Sequence, residues 1–391
     1  MSFIFMVMSV LALVYAYIAK QVQQALPSQH GVRKAVYFYL FICWLSSSMP
    51  IVLRLTDLES GWDYALAWFT YLNMGFFSLV FICLLLADLL KLLLKAVRRG
   101  MLPKLPASGL AVPNQERRSL MINSVNIGLL GVSGSLTGVG ISTAMGRAVV
   151  REVNVPLGNV PQALKDLRIV QFTDMHIGPM VKREYVENIV TQINQLRPDI
   201  IVMTGDLVDG SVSHLKDDVA PLAKLTARHG KYFITGNHEY YSGVEDWIAE
   251  VERLGFTVLL NEHRLIEHEG ARLLLAGVTD YRAFQHKPSH ATSPAQAIAG
   301  AAESNVKILL AHQPKSIFEA SKAGFDLQIS GHTHGGQYYP FNFIAKLANP
   351  YIQGLHKHEN KTWIYVSPGT GYWGPPIRLG TEPEITMFRL S

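Results

Sequence analysis

Residues 168–176 read Arg-Ile-Val-Gln-Phe-Thr-Asp-Met-His, a short apolar run that ends in two side chains able to bind a metal ion, Asp174 and His176. Short β-branched runs bounded by Gly, Pro, Asp or Asn are typical of buried strands. The same arrangement, an apolar run followed by a polar cluster, recurs four times along the C-terminal half. Run 200–203 is followed by Gly205-Asp206, run 231–234 by Gly236-Asn237-His238, run 307–310 by His312, and run 327–329 by Gly331-His332-Thr333-His334. Each cluster alone is a weak signal, but the ordered set predicts a site.

Helical stretches separate several of these runs. Periodicity predicts helices over 183–196, 244–254 and 295–303, and further strands over 272–278, 363–366 and 384–389. Strands that alternate with helices indicate βαβ units and an α/β fold. Because open α/β sheets place their ligands at the carboxyl ends of strands, we expect the polar clusters to meet at one sheet edge.

The residue types in these clusters fit a site for two divalent ions. Two ions about 3.5–4 Å apart need a bridging anion, and the carboxylate of Asp206 suits that role. The predicted metal ligands are Asp174, His176, Asp206, Asn237, His312, His332 and His334. Such a pair of ions turns a bridging water into a hydroxide that attacks a phosphate ester. His238 follows a ligand without being needed as one, so we predict that it protonates the leaving oxygen as the catalytic acid.

The N-terminal third has the composition of a membrane region. Four apolar segments predict spans over 3–19, 36–53, 64–90 and 121–145. The first has no basic n-region and no small-residue cleavage site, which argues against a signal peptide. We expect an all-α transmembrane region over 1–146, a linker over 147–164 and a catalytic domain over 165–391. Both cysteines, Cys43 and Cys83, lie in the apolar segments, so cysteine cannot supply metal ligands in the domain.

Loop charges predict the orientation of the spans. Positive residues concentrate in the cytoplasmic loops of membrane proteins. Loop one carries Lys20, Arg33 and Lys34, loop two sets Arg54 against Asp57, Glu59 and Asp63, and loop three carries Lys91, Lys95, Arg98, Arg99, Lys104, Arg117 and Arg118. With four spans, the N-terminus and the catalytic domain face the outer, periplasmic side of a bacterial-type inner membrane. If segment 121–145 does not span, the domain is cytoplasmic.

The order of the polar clusters resembles the calcineurin-like metallophosphoesterase family over residues 165–391. The resemblance implies a four-layer α/β/β/α sandwich. It also implies one ion held by Asp174, His176, Asp206 and His334, a second held by Asp206, Asn237, His312 and His332, and a general-acid role for His238. The family pattern has Asp where this chain has Glu239. The sequence therefore leaves open whether Glu239 makes the same contact with the ligand loops.

Two further stretches narrow the resemblance. The stretch 331–337 and the tail 366–378 resemble the YkuE/YaeI-like membrane-associated branch, which is similar to phosphodiesterases and to lipid-linked pyrophosphatases acting on UDP-diacylglucosamine. The multi-span N-terminal region resembles the transmembrane metallophosphoesterase proteins. The aromatic stretch 338–352 could rest on a bilayer and admit a lipid-linked phosphate, or be an ordinary core loop. Arg282 and Arg378 could hold a distal phosphate or be surface charges.

Several alternatives stay open at this level. The mixed nitrogen and oxygen ligands favour Mn, with Fe or Zn as rivals. The chain could be a catalytically silent metal-binding scaffold or sensor, or a UDP-diacylglucosamine-type pyrophosphatase if the domain is cytoplasmic. A transport module is less well supported, because ionisable residues are rare in the spans. The net charge is +5, but the basic residues form no stripe with interleaved aromatics. We therefore expect no nucleic-acid partner.

Overall fold

The computed structural model describes residues 2–23, 30–47, 49, 63–101, 115–359 and 361–391. The chain divides into two compact units, Met1–Gly140 and Ile141–Ser391, here called the N-terminal and C-terminal units. The end of the predicted second span, residues 50–53, lies outside the described residues, as do Arg54, Asp57, Glu59 and Lys104.

Helices occupy each predicted span position in the described residues: α1 (Ser2–Gln23), α2 (His30–Ser46), α3 (Asp63–Met101) and α4 (Gln115–Ala144). Two of them contain stretches long and apolar enough to cross a membrane by length and composition, Tyr64–Val97 in α3 and Ser124–Ala144 in α4. The helical character of the region is therefore confirmed, while membrane spanning by these four helices stays a prediction.

A small apolar cluster packs the N-terminal unit. Its buried members come from α1, α2 and α3 and include Ile18, Cys43 and Val80. Inside it, the Asn73 side-chain amide donates to the Tyr15 hydroxyl at 3.0 Å and to the Cys43 carbonyl at 2.7 Å. Because a buried amide is costly unless it is hydrogen-bonded, these bonds specify how the three helices pack.

Two six-stranded mixed sheets form the C-terminal unit. The strands are β1 (Val149–Val155), β2 (Ile169–Phe172), β3 (Ile200–Met203), β4 (Lys231–Phe233), β5 (Thr257–Val258), β6 (Glu262–His268), β7 (Ala271–Gly277), β8 (Val306–Leu310), β9 (Leu327–Ser330), β10 (Gly354–His358), β11 (Thr362–Val366) and β12 (Glu384–Leu390). The first sheet has the order β1-β12-β2-β3-β4-β5, and the second has the order β10-β11-β9-β8-β7-β6.

The strands that carry the predicted site run parallel. In the first sheet β2, β3 and β4 are parallel neighbours, and in the second sheet β8 and β9 are. A core between the sheets includes Ile169, Val202, Ile308, Ile329 and Phe388, all fully buried. This packing brings the carboxyl ends of strands from both sheets to one edge, as the α/β prediction requires.

Helices connect and cover the sheets. They are α5 (Gln162–Lys165), α6 (Arg183–Gln195), α7 (Val212–Val219), α8 (Asn237–Tyr241), α9 (Val244–Arg253), α10 (Pro294–Ile298), α11 (Ile317–Ala323) and α12 (Phe341–Ala348). Ala297 of α10 and Ala320 of α11 pack on the outer face of the second sheet. All four residues of β2 and of β3 are buried, so the first sheet is also covered on both faces.

Two local predictions differ in detail from the structure. The predicted linker 147–164 contains β1, which pairs in parallel with β12 over its whole length, Val149 to Val155. The strand was not recognised in the sequence because Arg151 and Glu152 interrupt the apolar pattern. In addition, β1 pairs with a strand at the far end of the sequence, which no local pattern indicates. The predicted helix 295–303 is only Pro294–Ile298, since Gly300 takes a positive φ of 71°.

Candidate metal centre

Tight backbone turns follow the strands and hold the predicted ligands. Five of these residues have φ in the left-handed region, which is uncommon outside glycine: Asp174, His176, Asp206, His332 and His334. Such conformations cost free energy and cluster at functional sites, where the surrounding structure enforces them. The turns aim several buried polar side chains into the same space.

One ligand group contains Asp174, His176 and His334, all buried. The Nε2 atoms of His176 and His334 lie 3.0 Å apart, and His334 Nε2 lies 3.7 Å from Asp174 Oδ1. Asp206 Oδ2 is 3.9 Å from His176 Nε2. These nitrogen and carboxylate oxygen atoms converge as the donors of a divalent transition-metal ion do.

A second ligand group contains Asp206, His312 and His332. His312 Nε2 lies 3.1 Å from Asp206 Oδ2 and 3.2 Å from His332 Nδ1. The Asn237 Oδ1 atom is buried without a hydrogen-bond partner among the described residues. A buried polar atom without a partner calls for an explanation, and an ion at this group would supply the missing partner. Asp206 Oδ2 is thus within reach of both groups.

The charge balance of the site also fits a cation. Burial acts to raise the pKa of Asp206, but the imidazoles of His312, His238 and His176 hold it well below its usual range. Burial opposes charge on His312 too, yet Asp206, Asp174 and Asp280 raise its pKa to about 10. The buried carboxylates therefore attract positive charge into the centre of the site.

Two other imidazoles are held neutral. Burial and the neighbouring His312 lower the pKa of His332 to about 3. Burial, His176 and Arg378 keep the pKa of His334 well below its usual range. Metal ions bind the unprotonated imidazole nitrogen, so these side chains are prepared as ligands at neutral pH.

The structure places Asp209 beside the ligand groups, a residue that the sequence interpretation did not single out. Its Oδ2 lies 3.3 Å from His176 Nδ1, and its Oδ1 contacts His238 Nδ1. The hydrogen bond to His238 fixes the tautomer of that ring and directs its other nitrogen toward the site, whereas the approach to His176 is an electrostatic contact without a hydrogen bond. The available signal was a second Asp three residues after Asp206, in the run 205–210 (Gly-Asp-Leu-Val-Asp-Gly).

His238 forms a third group of potential ligand atoms with His176 and Asp206. Its Nε2 is 3.9 Å from Asp206 Oδ2, and its backbone N–H donates to Asp206 Oδ1 at 2.9 Å. The exposed rings of Tyr241 and Trp373 meet its ring edge to face, with centroids 5.4 and 5.9 Å away. His238 itself is buried, and these two aromatic rings border it on the solvent side.

Glu239 makes the ligand-loop contact that the sequence left in question. Its carboxylate accepts hydrogen bonds from the backbone N–H groups of Gly236 at 2.7 Å, Asp206 at 3.0 Å and Leu207 at 2.7 Å. Burial and the charge of Asp206 raise its pKa to about 7. The extra methylene relative to Asp does not prevent the side chain from tying the loops after β3 and β4 together.

Arg378 is a buried residue that packs beside His334, and it is not a surface charge. Its guanidinium is fully buried and donates to the carbonyls of Pro368 at 2.7 Å and Gly371 at 2.5 Å. The same Nη2 lies 3.3 Å from His334 Nδ1. A buried arginine surrounded by carbonyls fixes this loop beside His334, so it cannot reach a distal phosphate in solvent.

Gly331 offers a test of how tightly the ligands are packed. A Cβ at this position would overlap Asp174 Oδ2 and lie 2.6 Å from Thr173 Oγ1. We expect Gly331→Ala to abolish metal binding and to lower the free energy of unfolding by about 1–3 kcal/mol, as overpacking does. Calorimetric metal titration and thermal denaturation of the full-length protein in detergent measure both effects.

Gly324→Ala is the matched control. Gly324 has a φ of 81°, and a Cβ there meets nothing within 4 Å. The variant carries backbone strain of about 1–2 kcal/mol without a clash at the site. Unchanged metal binding is expected for this control, and equal metal binding by Gly331→Ala would refute the packing argument.

Fold and site together define a metal-binding α/β protein with the donor set of a metallohydrolase. The family model for calcineurin-like phosphoesterases matches residues 167–336. A zebrafish protein named "Transmembrane protein with metallophosphoesterase domain" is 34% identical over 90% of this chain and 79% of its own length. Its bovine namesake is 41% identical over 66% of this chain and 60% of its own length. The chain thus spans less than two thirds of the bovine relative.

A bacterial relative extends the comparison. The uncharacterized metallophosphoesterase YkuE of Bacillus subtilis is 30% identical over 59% of this chain and 82% of its own length. The chain belongs to the calcineurin-like phosphoesterase family, which is a family of phosphoric ester hydrolases. The resemblance drawn from the sequence motifs is therefore confirmed.

Proposed function

We propose that this chain is a membrane-anchored phosphoesterase that uses two divalent ions to hydrolyse phosphodiesters or pyrophosphates, including lipid-linked ones. The observation that carries the proposal is the position of Asp206 Oδ2, within 3.1 Å of His312 Nε2 and 3.9 Å of His176 Nε2. One oxygen thus lies between two groups of metal-binding atoms. A structural ion would need one group only.

Each side chain of the site has a proposed role in metal binding or in proton transfer. Asp174, His176 and His334 would hold one ion, His312, His332 and Asn237 the other, and Asp206 would contact both. Bound there, the ions would generate a nucleophile from water at neutral pH and neutralise phosphoryl charge. His238, oriented by Asp209, donates the proton that the leaving oxygen needs. Manganese suits this set of imidazole, carboxylate and carboxamide ligands, with iron or zinc as rivals.

Membrane anchorage and orientation are part of the proposal. The relatives named as transmembrane proteins and the two apolar helices support anchorage. The basic residues near the C-terminal end of α3, among them Lys91 and Lys95, favour a cytoplasmic position for that end of the helix. The C-terminal unit would then lie on the outer face of a bacterial-type inner membrane. An outward-facing site suits an exported lipid phosphate better than a cytoplasmic nucleotide-lipid.

Hydrolysis of bis-p-nitrophenyl phosphate by the full-length protein in detergent tests the catalytic part. We expect turnover that disappears after chelation and returns on addition of Mn²⁺. Parallel reactions with Zn²⁺, Fe²⁺ and Mg²⁺ rank the metals by the activity that each restores. Equal activity with Mg²⁺ alone would point to sites that prefer oxygen ligands. No turnover with any of the four ions, in protein that binds them, would favour the scaffold alternative.

A further inference from the structure

Helix α12, Phe341–Ala348, presents its apolar residues outward. None of its eight residues is buried. The exposed fractions of Phe343, Ile344 and Leu347 are 62%, 59% and 89%. A surface helix of a soluble protein normally turns its apolar stripe inward, and a contiguous exposed apolar patch marks an interaction site.

The inner face of α12 is polar or small and rests on the ligand loop. Asn342, Ala345 and Asn349 are the partly buried positions. A Cβ on Gly336 would overlap the backbone of Asn342, so the helix packs directly against the turn that follows His334. The apolar face is therefore fixed to the loop that carries two predicted metal ligands.

Exposed aromatics flank this face. Tyr339 and Trp373 are 55% and 49% exposed, and Gln337 joins their segments by exchanging hydrogen bonds with the Trp373 backbone at 2.9 and 3.0 Å. Trp and Tyr are enriched where proteins meet the lipid headgroup region. Lys346, exposed on the same helix, suits anionic headgroups.

The last turn of α4, residues 141–144, lies in the C-terminal unit. The Tyr339 ring packs on Gly380, and three residues later the Pro383 carbonyl accepts from the Val149 N–H at 2.8 Å. A trans chain covers at most about 11 Å in three residues. Ser142 and Thr143, in the last turn of α4, line one cavity with Glu382 and Pro383. The last turn of α4, which belongs to the C-terminal unit, therefore lies near the segment that leads into α12.

We propose that the outward face of α12, formed by Phe343, Ile344 and Leu347, inserts into the interfacial layer of the bilayer that anchors the chain. The inference rests on the proposed membrane anchorage. Interfacial helices of this kind bury their apolar face about 5–10 Å deep. The helix would hold the loop of His332 and His334 against the lipid surface, where a phosphoester carried by a lipid reaches the site without leaving the bilayer.

Spin-label accessibility in proteoliposomes tests the proposal. The full-length chain, with Cys43 and Cys83 replaced by alanine, carries a nitroxide at Ile344→Cys or at Leu347→Cys in vesicles of equal parts phosphatidylcholine and phosphatidylglycerol. Ala302→Cys is the control, because Ala302 is exposed just before β8, at the end of that strand away from His312. We expect the labels at 344 and 347 to collide with oxygen more than with a water-soluble nickel complex, and the label at 302 to do the reverse.

Two results would overturn the proposal. Labels at 344 and 347 as accessible to nickel as the label at 302 would place α12 in water, and labels shielded from both reagents would place it against protein. Metal-dependent hydrolysis of bis-p-nitrophenyl phosphate in the same vesicles reports on the catalytic proposal. This probe is soluble, so its hydrolysis does not depend on the membrane position of α12. The catalytic proposal and the proposal for α12 can therefore fail independently.

Discussion

Asp206→Asn is expected to reduce kcat/KM for a phosphodiester at least about 1000-fold, which corresponds to about 4 kcal/mol of lost transition-state stabilisation. The carboxamide has the shape of the carboxylate but only one oxygen and no charge. A neutral amide oxygen holds two cations much less well than the charged Oδ2 of Asp206, which lies 3.1 and 3.9 Å from the nearest imidazole nitrogens of the two ligand groups. Steady-state hydrolysis of bis-p-nitrophenyl phosphate at saturating Mn²⁺ measures the loss.

Asp166→Asn is the matched control for this prediction. Asp166 is an exposed carboxylate at the end of α5, and its Oδ2 accepts a hydrogen bond only from Gln162 among the interactions described, at 3.5 Å. The control should keep wild-type kinetics. Activity of Asp206→Asn within a few-fold of wild type would refute the role of Asp206 as the shared ligand.

His238→Gln is expected to lower kcat by about 10²–10⁴-fold while metal content stays at the wild-type level. The residue contacts the ligand set through Asp206 but is not needed to complete either group. The loss should depend on the leaving group. p-Nitrophenolate leaves readily without a proton, so an alkyl phosphodiester should suffer a much larger loss than a p-nitrophenyl ester.

Asp209→Asn separates positioning of His238 from proton donation by it. Asp209 contacts the Nδ1 atoms of both His238 and His176, so the variant should show the same leaving-group trend together with metal affinity weakened about 10–100-fold. An equal loss for both leaving groups in His238→Gln would contradict the general-acid role. Loss of bound metal in that variant would instead make His238 a ligand.

Most of the site could be predicted from sequence, because strand-end position is a local property. Asp174, Asp206 and His312 each follow a short apolar run directly, and parallel strands bring such ends together. Asp209 could not be recognised in the same way. Its place in the site depends on contacts with His176 and His238, which come from other loops, and the local signal, a second Asp three residues after Asp206, does not by itself separate it from a surface aspartate.

The elements missed from sequence are those whose stability is non-local. Strand β1 has two adjacent exposed charged residues, Arg151 and Glu152, which point to opposite faces of the sheet, and it is fixed by pairing with β12 more than 200 residues later. The outward apolar face of α12 was similarly ambiguous. Residues 338–352 read equally as a core loop or as an interfacial segment, and only the exposure of Phe343 and Leu347 distinguishes the two.

Metal stoichiometry tests the central claim most directly. The full-length protein, stripped with chelator, reloaded with Mn²⁺ and freed of excess ion, is analysed by inductively coupled plasma mass spectrometry beside Asp206→Asn and His238→Gln. We predict two ions per chain in the wild type and in His238→Gln, and fewer than two in Asp206→Asn. One ion per chain in fully active wild-type protein, or two in Asp206→Asn, would contradict the claim that Asp206 joins two metal sites.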